Sequence, residues 1–225
     1  MNNTCMRKQP APMVEVSLIC LDLCNLEAEV KRIAEAGVKA LHIDLLDGTF
    51  SPSMPLGLDT IKQLRQKTDL DFDVHLMTHN NDFFMDELLG IGIQSMSFHI
   101  EAVEHADIYL EKIKKAGVKA GVALKPATTL HELDYILGEC DFVLQMLINP
   151  GYADKNDVSQ VAYAKKKIQD LRAMIEREAA STKISIDGRV SWTDIFEYSK
   201  REVDIFVAGS TCLKDNFAHN LSQIG

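Results

Sequence analysis

Three short stretches of this chain place residues fit for metal binding or proton transfer at the end of an apolar run. The first is Ala40-Leu41-His42-Ile43-Asp44-Leu45-Leu46-Asp47-Gly48. It reads as a strand entering an Asp-Gly turn, with Leu41, Ile43 and Leu45 on one face and Ala40, His42 and Asp44 on the other. An imidazole and a carboxylate two residues apart then point at one volume, as a metal site or a proton-transfer pair needs. Val74-His75-Leu76 and Ile186-Asp187-Gly188 repeat the pattern. Either histidine alone would read as a satisfied core residue. Together with carboxylates at matching strand ends, His42, Asp44, His75 and Asp187 make a ligand shell for a divalent transition metal, with room for substrate oxygens. Asp44 and Asp187 come from well-separated strands, so they can flank a substrate and move a proton off one face of a carbon and onto the other. A metal on the adjacent carbonyl would stabilise the enediolate formed in between.

The elements that must bring these ends together alternate along the whole chain. Strand-like runs cover Val14–Cys20, the segment from Ala40, Phe72–Leu76, Ser95–Ile100, Ala120–Leu124, Phe142–Met146, Lys183–Ile186 and Ile205–Ala208. Helical spacing follows each: a stripe capped by Asn25 and closed at Gly37, then Leu58–Leu64, Phe83–Leu89, Ile108 to Gly117, Thr129 to Leu137, a longest helix from Val158 to Ala180, Thr193–Lys200, and Cys212–Leu221. Eight strands alternating with eight helices predict a parallel sheet with crossover helices, and 225 residues suit a single (β/α)8 TIM barrel. The barrel is expected over residues 13–225, behind a loose tail of residues 1–12 that has no apolar signal core. Ala36-Gly-Val-Lys-Ala40 recurs as Ala116-Gly-Val-Lys-Ala120; whether inherited or common junction chemistry, the echo sets the same helix-to-strand register twice. A doubly wound open sheet should carry a Gly-rich turn after its first strand, where this chain has Cys20-Leu21-Asp22-Leu23.

Hydrophobic residues make up 46% of the chain, enough for a sizeable core, and the net charge is −9 with both signs interspersed. That argues against a nucleic-acid partner but leaves open an anionic substrate held by backbone N–H groups. No apolar run approaches the roughly 20 residues of a membrane span. The five cysteines (Cys5, Cys20, Cys24, Cys140 and Cys212) are odd in number, scattered and without a C-x-x-C pair, as expected of reduced, inert thiols in a cytoplasmic protein. His79, His105, His131 and His219 fall in loop or helix contexts and are expected to be solvated, as is the run Lys165-Lys166-Lys167 on a wet helix face.

The motifs taken in order resemble the ribulose-phosphate 3-epimerases and their close relatives, from about Val14 to Leu213. The segment from His42 to Gly48 is similar to the family's H-x-D-x-M-D-G, Asp73-Val-His75-Leu-Met77 matches D-V-H-L-M, and His99-Ile-Glu101-Ala102 resembles H-x-E-A. Ser17-Leu-Ile-Cys-Leu-Asp22 looks like the opening strand and turn, and Asn149-Pro-Gly151 and Val207-Ala-Gly209-Ser210 look like phosphate-side loops. The resemblance implies one divalent metal, zinc first with Fe(II), Mn or Co as alternatives, held by His42, Asp44, His75 and Asp187. It implies Asp44 and Asp187 as the acid and base that invert C3 of a small-molecule ketose phosphate. Ser17, Met77 and Met146 would line the substrate volume, with the thioethers shielding the enediolate from water. Backbone N–H groups around Gly151, Gly188, Gly209 and Ser210 would hold the phosphate, and the resemblance favours a homo-oligomer. His99 is expected behind the ligands rather than among them.

Departures from the pattern gather on the phosphate side. Gly151 is followed by Tyr152, Ala153, Asp154 and Lys155 where the family has Phe-Gly-Gly-Gln, Arg189 stands where a second glycine is expected, and Phe50-Ser-Pro-Ser53 replaces F-V-P-N. Asp154 would repel a phosphate if turned inward, and Arg189 could offset that with its fork of donors. Ser17-Leu-Ile-Cys20-Leu-Asp-Leu23 leans towards the S-L-M-C-M-D-L of allulose-6-phosphate 3-epimerases. D-Ribulose 5-phosphate is the first expectation and D-allulose 6-phosphate the alternative, with a non-catalytic sugar-phosphate sensor as the rival from another class. A metal-independent lyase of the decarboxylase type would need an Asp-x-Lys-x-x-Asp array; the strand here reads Asp71-Phe-Asp73-Val-His75, without the lysine.

Overall fold

The computed structural model describes residues 12–151, 158–199, 202–214 and 216–224. The tail expectation therefore lies outside the described residues except for Pro12, and so do the departures at Tyr152, Ala153, Asp154 and Lys155. Among the described residues, eight parallel strands close on themselves in chain order: β1 Met13–Ser17, β2 Ala40–Leu46, β3 Asp71–Met77, β4 Ser95–His99, β5 Lys119–Leu124, β6 Phe142–Met146, β7 Lys183–Asp187 and β8 Ile205–Ala208. This is the (β/α)8 barrel that the alternation predicts. No helix among the described residues is long and apolar enough to cross a membrane.

The helices are α1 Leu26–Glu35, α2 Leu58–Arg65, α3 Asn81–Leu89, α4 Ala106–Lys115, α5 Ala164–Arg177, α6 Trp192–Tyr198, α7 Ser210–Leu213 and α8 Phe217–Ser222. Their apolar stripes pack on the outer face of the sheet, where Val16, Leu41, Ile43, Val74, Phe98 and Ile186 meet Ile33, Ile61, Met85, Ile113 and Leu171 in one continuous core. The repeated Ala-Gly-Val-Lys-Ala junction folds identically both times. Gly37 and Gly117 take φ of 100° and 77°, and the next residue's N–H turns back to Ile33 or Ile113, which delivers the chain into β2 or β5.

Three helical expectations need correction. The segment after β5 is not an α-helix but two 3-10 turns, Leu130–Leu133 and Leu137–Glu139. Its apolar residues Leu130, Leu133 and Ile136 recur every three residues, which suits the tighter turn. The longest helix begins at Ala164 rather than Val158, because Val161 N–H is drawn 2.9 Å from Leu147 O at the end of β6, and it ends before Ala179, which takes a left-handed φ of 51°. The closing helix is split into α7 and α8 by Asn216, also left-handed at φ 53°.

Lys167 corrects the wet-face reading of its lysine run. Lys165 and Lys166 are exposed, but Lys167 lies on the buried stripe of α5 and donates to Lys125 O at 3.0 Å and Pro126 O at 2.9 Å. Burial pushes its ammonium down to about 8.

Candidate active site at the strand ends

Every residue of β2 is buried, so its polar face looks not into bulk water but into the barrel. Cα partners in a parallel sheet share a face, so the register carries that inward face around the sheet: Ser17 pairs with His42, Asp44 with His75, His75 with Ser97, Ser97 with Gly121, and Gly121 with Phe142. The interior is consequently lopsided. On β1 to β4 it holds Glu15, Ser17, His42, Asp44, Asp73, His75, Ser95, Ser97 and His99, whereas on β5 and β6 it is filled by the apolar cluster of Ala123, Phe142, Leu144 and Met146. Asp187, paired with Met146, brings a carboxylate back across from β7.

The structure gathers the four predicted ligands. His42, Asp44, His75 and Asp187 each offer an atom, all within 4.8 Å of one another. Asp44 Oδ1 lies 3.5 Å from both His42 Nε2 and His75 Nδ1, and Asp187 Oδ2 lies 4.0 Å from His75 Nδ1. Those two imidazole nitrogens are buried and make no hydrogen bond among the described residues. A buried ring nitrogen without a hydrogen-bond partner is costly, and two of them beside two carboxylates fit a divalent cation with mixed nitrogen and oxygen ligands. The opposite ring atoms are anchored: His42 Nδ1 lies 2.8 Å from Asp73 Oδ2, whose Oδ1 accepts from Ser95 Oγ at 2.5 Å, and His75 Nε2 lies 2.9 Å from His99 Nε2. The expectation that His99 backs the ligands agrees with this placement.

Electrostatics push the two carboxylates apart. Burial would raise Asp44, but His42 and His75 outweigh it and hold Asp44 well below the usual carboxylate range. Asp187 is pushed up to about 7 by burial and then by the negative charge of Asp44. His75 is lowered to about 4, first by burial. Burial alone would lower His42 too, yet Asp44, Asp73 and Glu15 surround it and raise it well above an ordinary histidine. Glu15, buried behind His42 with its Oε2 3.7 Å from Nδ1, is raised to about 8 by burial and then by Asp73. Glu101 is held down at about 2: burial opposes this, and hydrogen bonds from His99, Thr128 and Lys125 N–H overcome it.

A cavity of about 240 Å³ opens at the two carboxylates of the cluster, Asp44 and Asp187. All the remaining residues expected from the sequence line it: Ser17, Met77, Met146, Gly151, Gly188, Arg189, Gly209 and Ser210. Arg189 sits in a left-handed conformation at φ 55° in the wall of this cavity. Ser53, which stands where the family pattern has a substrate-facing Asn, also lines it, and the lining residues that the sequence reading missed are Ile19, Cys20, Leu46, Pro55, Ile148 and Thr211. Cys20, Cys24, Cys140 and Cys212 are free thiols; burial raises Cys20 and pushes Cys140 and Cys212 up to about 12, consistent with inert residues. His79, His105, His131 and His219 are exposed as expected.

One loop contact sets the mouth of the cavity. Ser51, in the loop after β2, is buried and donates to Pro150 O at 3.1 Å. The neighbouring Gly151 has φ 79°, and a Cβ there would fall 1.6 Å from Ser51 Oγ. The two loops interlock only because residue 151 has no side chain.

The model of the ribulose-phosphate 3 epimerase family matches residues 13–213. The chain belongs to that family. It is thereby an isomerase of the epimerase type. Among its relatives, a ribulose-phosphate 3-epimerase of Methanocaldococcus jannaschii is 35% identical over 197 residues, covering 88% of this chain and 82% of the relative. The ribulose-phosphate 3-epimerase of Escherichia coli K12 is 31% identical, covering 88% and 87%, and the chloroplastic ribulose-5-phosphate-3-epimerase of Arabidopsis thaliana is 33% identical, covering 88% and 70%. Among solved structures, a 3-keto-L-gulonate-6-phosphate decarboxylase from Vibrio cholerae superposes with a TM-score of 0.69 over 95% of this chain and 97% of that one; at 13% identity this shows the shared barrel alone.

Proposed function

We propose that the chain is a metal-dependent 3-epimerase of a ketose phosphate, with D-ribulose 5-phosphate, interconverted with D-xylulose 5-phosphate, as the substrate. The observation that carries this is geometric: two carboxylates from well-separated strands, Asp44 of β2 and Asp187 of β7, share one cluster of ligand atoms and line one cavity. One is set to take a proton and the other to give one, as inversion at a carbon beside a carbonyl requires. A divalent ion held by His42, Asp44, His75 and Asp187 would supply Lewis-acid charge to the oxygens of the enediolate.

The chain's own residues do the rest. The Ser17 hydroxyl donates to Asp44 Oδ2 at 2.7 Å and fixes the carboxylate's orientation. Asp187 exchanges its proton with the opposite face of C3. Met77, Met146 and Leu46 close the pocket with apolar surface that keeps water from the carbanion. Gly151, Gly188, Gly209 and Ser210 give the phosphate end a wall of accessible backbone, with Arg189 beside it. Family membership and the curated relatives support the same reading.

D-Allulose 6-phosphate is the second reading, favoured by Arg189 in the pocket wall where the family pattern has glycine. The test is to incubate metal-loaded protein with each sugar phosphate in deuterium oxide and follow C3 by NMR. Deuterium at C3 together with epimer from D-ribulose 5-phosphate is expected. Turnover of D-allulose 6-phosphate alone would change the sugar. Exchange with neither, from protein with a full complement of metal, would overturn the epimerase assignment for both and favour a sugar-phosphate sensor.

A further inference from the structure

Behind His75 runs a file of hydrogen bonds that the proposed chemistry does not use. His75 Nε2 lies 2.9 Å from His99 Nε2, and His99 Nδ1 lies 2.9 Å from Glu101 Oε2. Glu101 Oε1 in turn accepts from Lys125 N–H at 2.8 Å and from the Thr128 hydroxyl. Lys167 steadies that outer end by donating to the carbonyls of Lys125 and Pro126. The file therefore spans β3, β4, the turn that follows β4 and the loop after β5.

Only one direction of donation satisfies it. An ionised carboxylate has no proton to give, so Glu101 can only accept from His99, and neutral His99 must carry its proton on Nδ1. Its Nε2 is then a lone pair and can only accept from His75. His75 must carry its proton on Nε2, which leaves Nδ1 as a lone pair facing Asp44 and Asp187. Reversed, the file would place an N–H on Nδ1 and abolish a metal ligand.

We infer that Glu101, acting through His99, is a positioning residue that selects the Nε2-protonated tautomer of His75 and so makes Nδ1 available to a metal. The inference rests on the metal-dependent reading above for its purpose but not for its test. Glu101→Gln is nearly isosteric. Its carboxamide oxygen still accepts from Lys125 N–H and Thr128, while its NH₂ donates to His99 Nδ1 and drives the file the other way.

Two readouts separate the inference from the function it serves. Long-range ¹⁵N–¹H spectra of the imidazoles, recorded on chelator-treated protein at neutral pH, report the tautomer directly. In the wild type His75 is expected to be protonated at Nε2, and in Glu101→Gln at Nδ1. Zn(II) affinity, measured by competition with a chromophoric chelator, is expected to fall roughly 10- to 100-fold in the variant, with the thermal midpoint of the metal-free protein little changed. A wild-type His75 protonated at Nδ1, or a His75 tautomer unmoved by Glu101→Gln, would overturn the inference even if Zn(II) binds and the enzyme turns over. A tautomer that flips as expected in a protein with no measurable Zn(II) binding would uphold it and sink the metal-dependent function instead.

Discussion

The hydroxyl of Ser17 donates a 2.7 Å hydrogen bond to Asp44 Oδ2, while Oδ1 of the same carboxylate faces His42 Nε2 and His75 Nδ1, each at 3.5 Å. One oxygen is pinned to β1 and the other is left for the centre of the cluster. Ser17→Ala removes the pin without touching a ligand atom. A hydrogen bond to a charged group contributes about 1.5–3 kcal/mol. The variant is therefore expected to lose about 10- to 100-fold in kcat, with a smaller change in KM, since the lost contact orients a reacting group rather than holding the sugar. Steady-state kinetics check this; a KM-only effect would move Ser17 to the binding wall.

Asp187 couples activity to stability with opposite signs. Its carboxyl is raised to about 7 against 3.8 in the unfolded chain, so ionising it disfavours the fold. The penalty is absent below pH 3.8, where both states are protonated, grows as pH rises, and is complete above about 7. Asp187→Asn carries no such charge. In metal-free protein it is expected to be more stable than the wild type by roughly 2–4 kcal/mol near pH 8 and equal to it near pH 3.5. Turnover should drop by about 10²- to 10⁴-fold or more. Denaturant unfolding at the two pH values checks the first claim, and C3 exchange the second.

Gly151 and Ser51 test the loop interlock. In Gly151→Ala the new Cβ would overlap Ser51 Oγ, in a backbone conformation that L-residues avoid. The loops must part, at an expected cost of about 1–3 kcal/mol in stability, and KM should rise more than kcat falls because the wall of the cavity moves. Adding Ser51→Gly relieves the overlap but not the backbone strain, so it should restore part of the loss. An unchanged thermal midpoint in Gly151→Ala would show that the loops do not interlock in solution.

Much of this arrangement was legible because a strand's alternation is simple. His42, Asp44, His75 and Asp187 were found by asking which polar residues end apolar runs, and the register brings all four together. One further step of the same rule, back from His75 to Asp73 and from Ser17 to Glu15, reaches the residues that surround His42 from behind. That step was missed because a carboxylate two residues deeper in a strand looks like a solvated edge until the barrel closes over it. The α-helix expected after β5 failed for a different reason: spacing of three and spacing of three-to-four are hard to separate in a ten-residue segment. Lys167 was misread because its neighbours Lys165 and Lys166 do face water, and no local pattern reveals that the carbonyls of Lys125 and Pro126 wait opposite it. The hydrogen bond of Ser51 to Pro150, beside Gly151, joins residues 99 positions apart and leaves no mark in either local sequence.

Metal binding and pH are linked through His42. Its neighbours Asp44, Asp73 and Glu15 hold its proton and raise it well above the usual histidine value, although burial opposes this. A cation must displace that proton to reach Nε2, so acid competes with metal. While His42 stays protonated in the metal-free protein, Zn(II) affinity is expected to fall about tenfold for each pH unit of acidification above about pH 7, with about one proton released per metal bound, and more steeply below it, where Asp187 must also give up its proton. Activity should vanish on treatment with a chelator and return on adding Zn(II), Mn(II) or Co(II), since ligands of this kind accept several ions. Calorimetric titration of Zn(II) into metal-free protein, in two buffers of different ionisation enthalpy over roughly pH 6–8, measures both the slope and the proton count. A pH-independent affinity with no proton released would mean that His42 already presents a bare nitrogen, and that the carboxylates around it orient the ring without holding its proton.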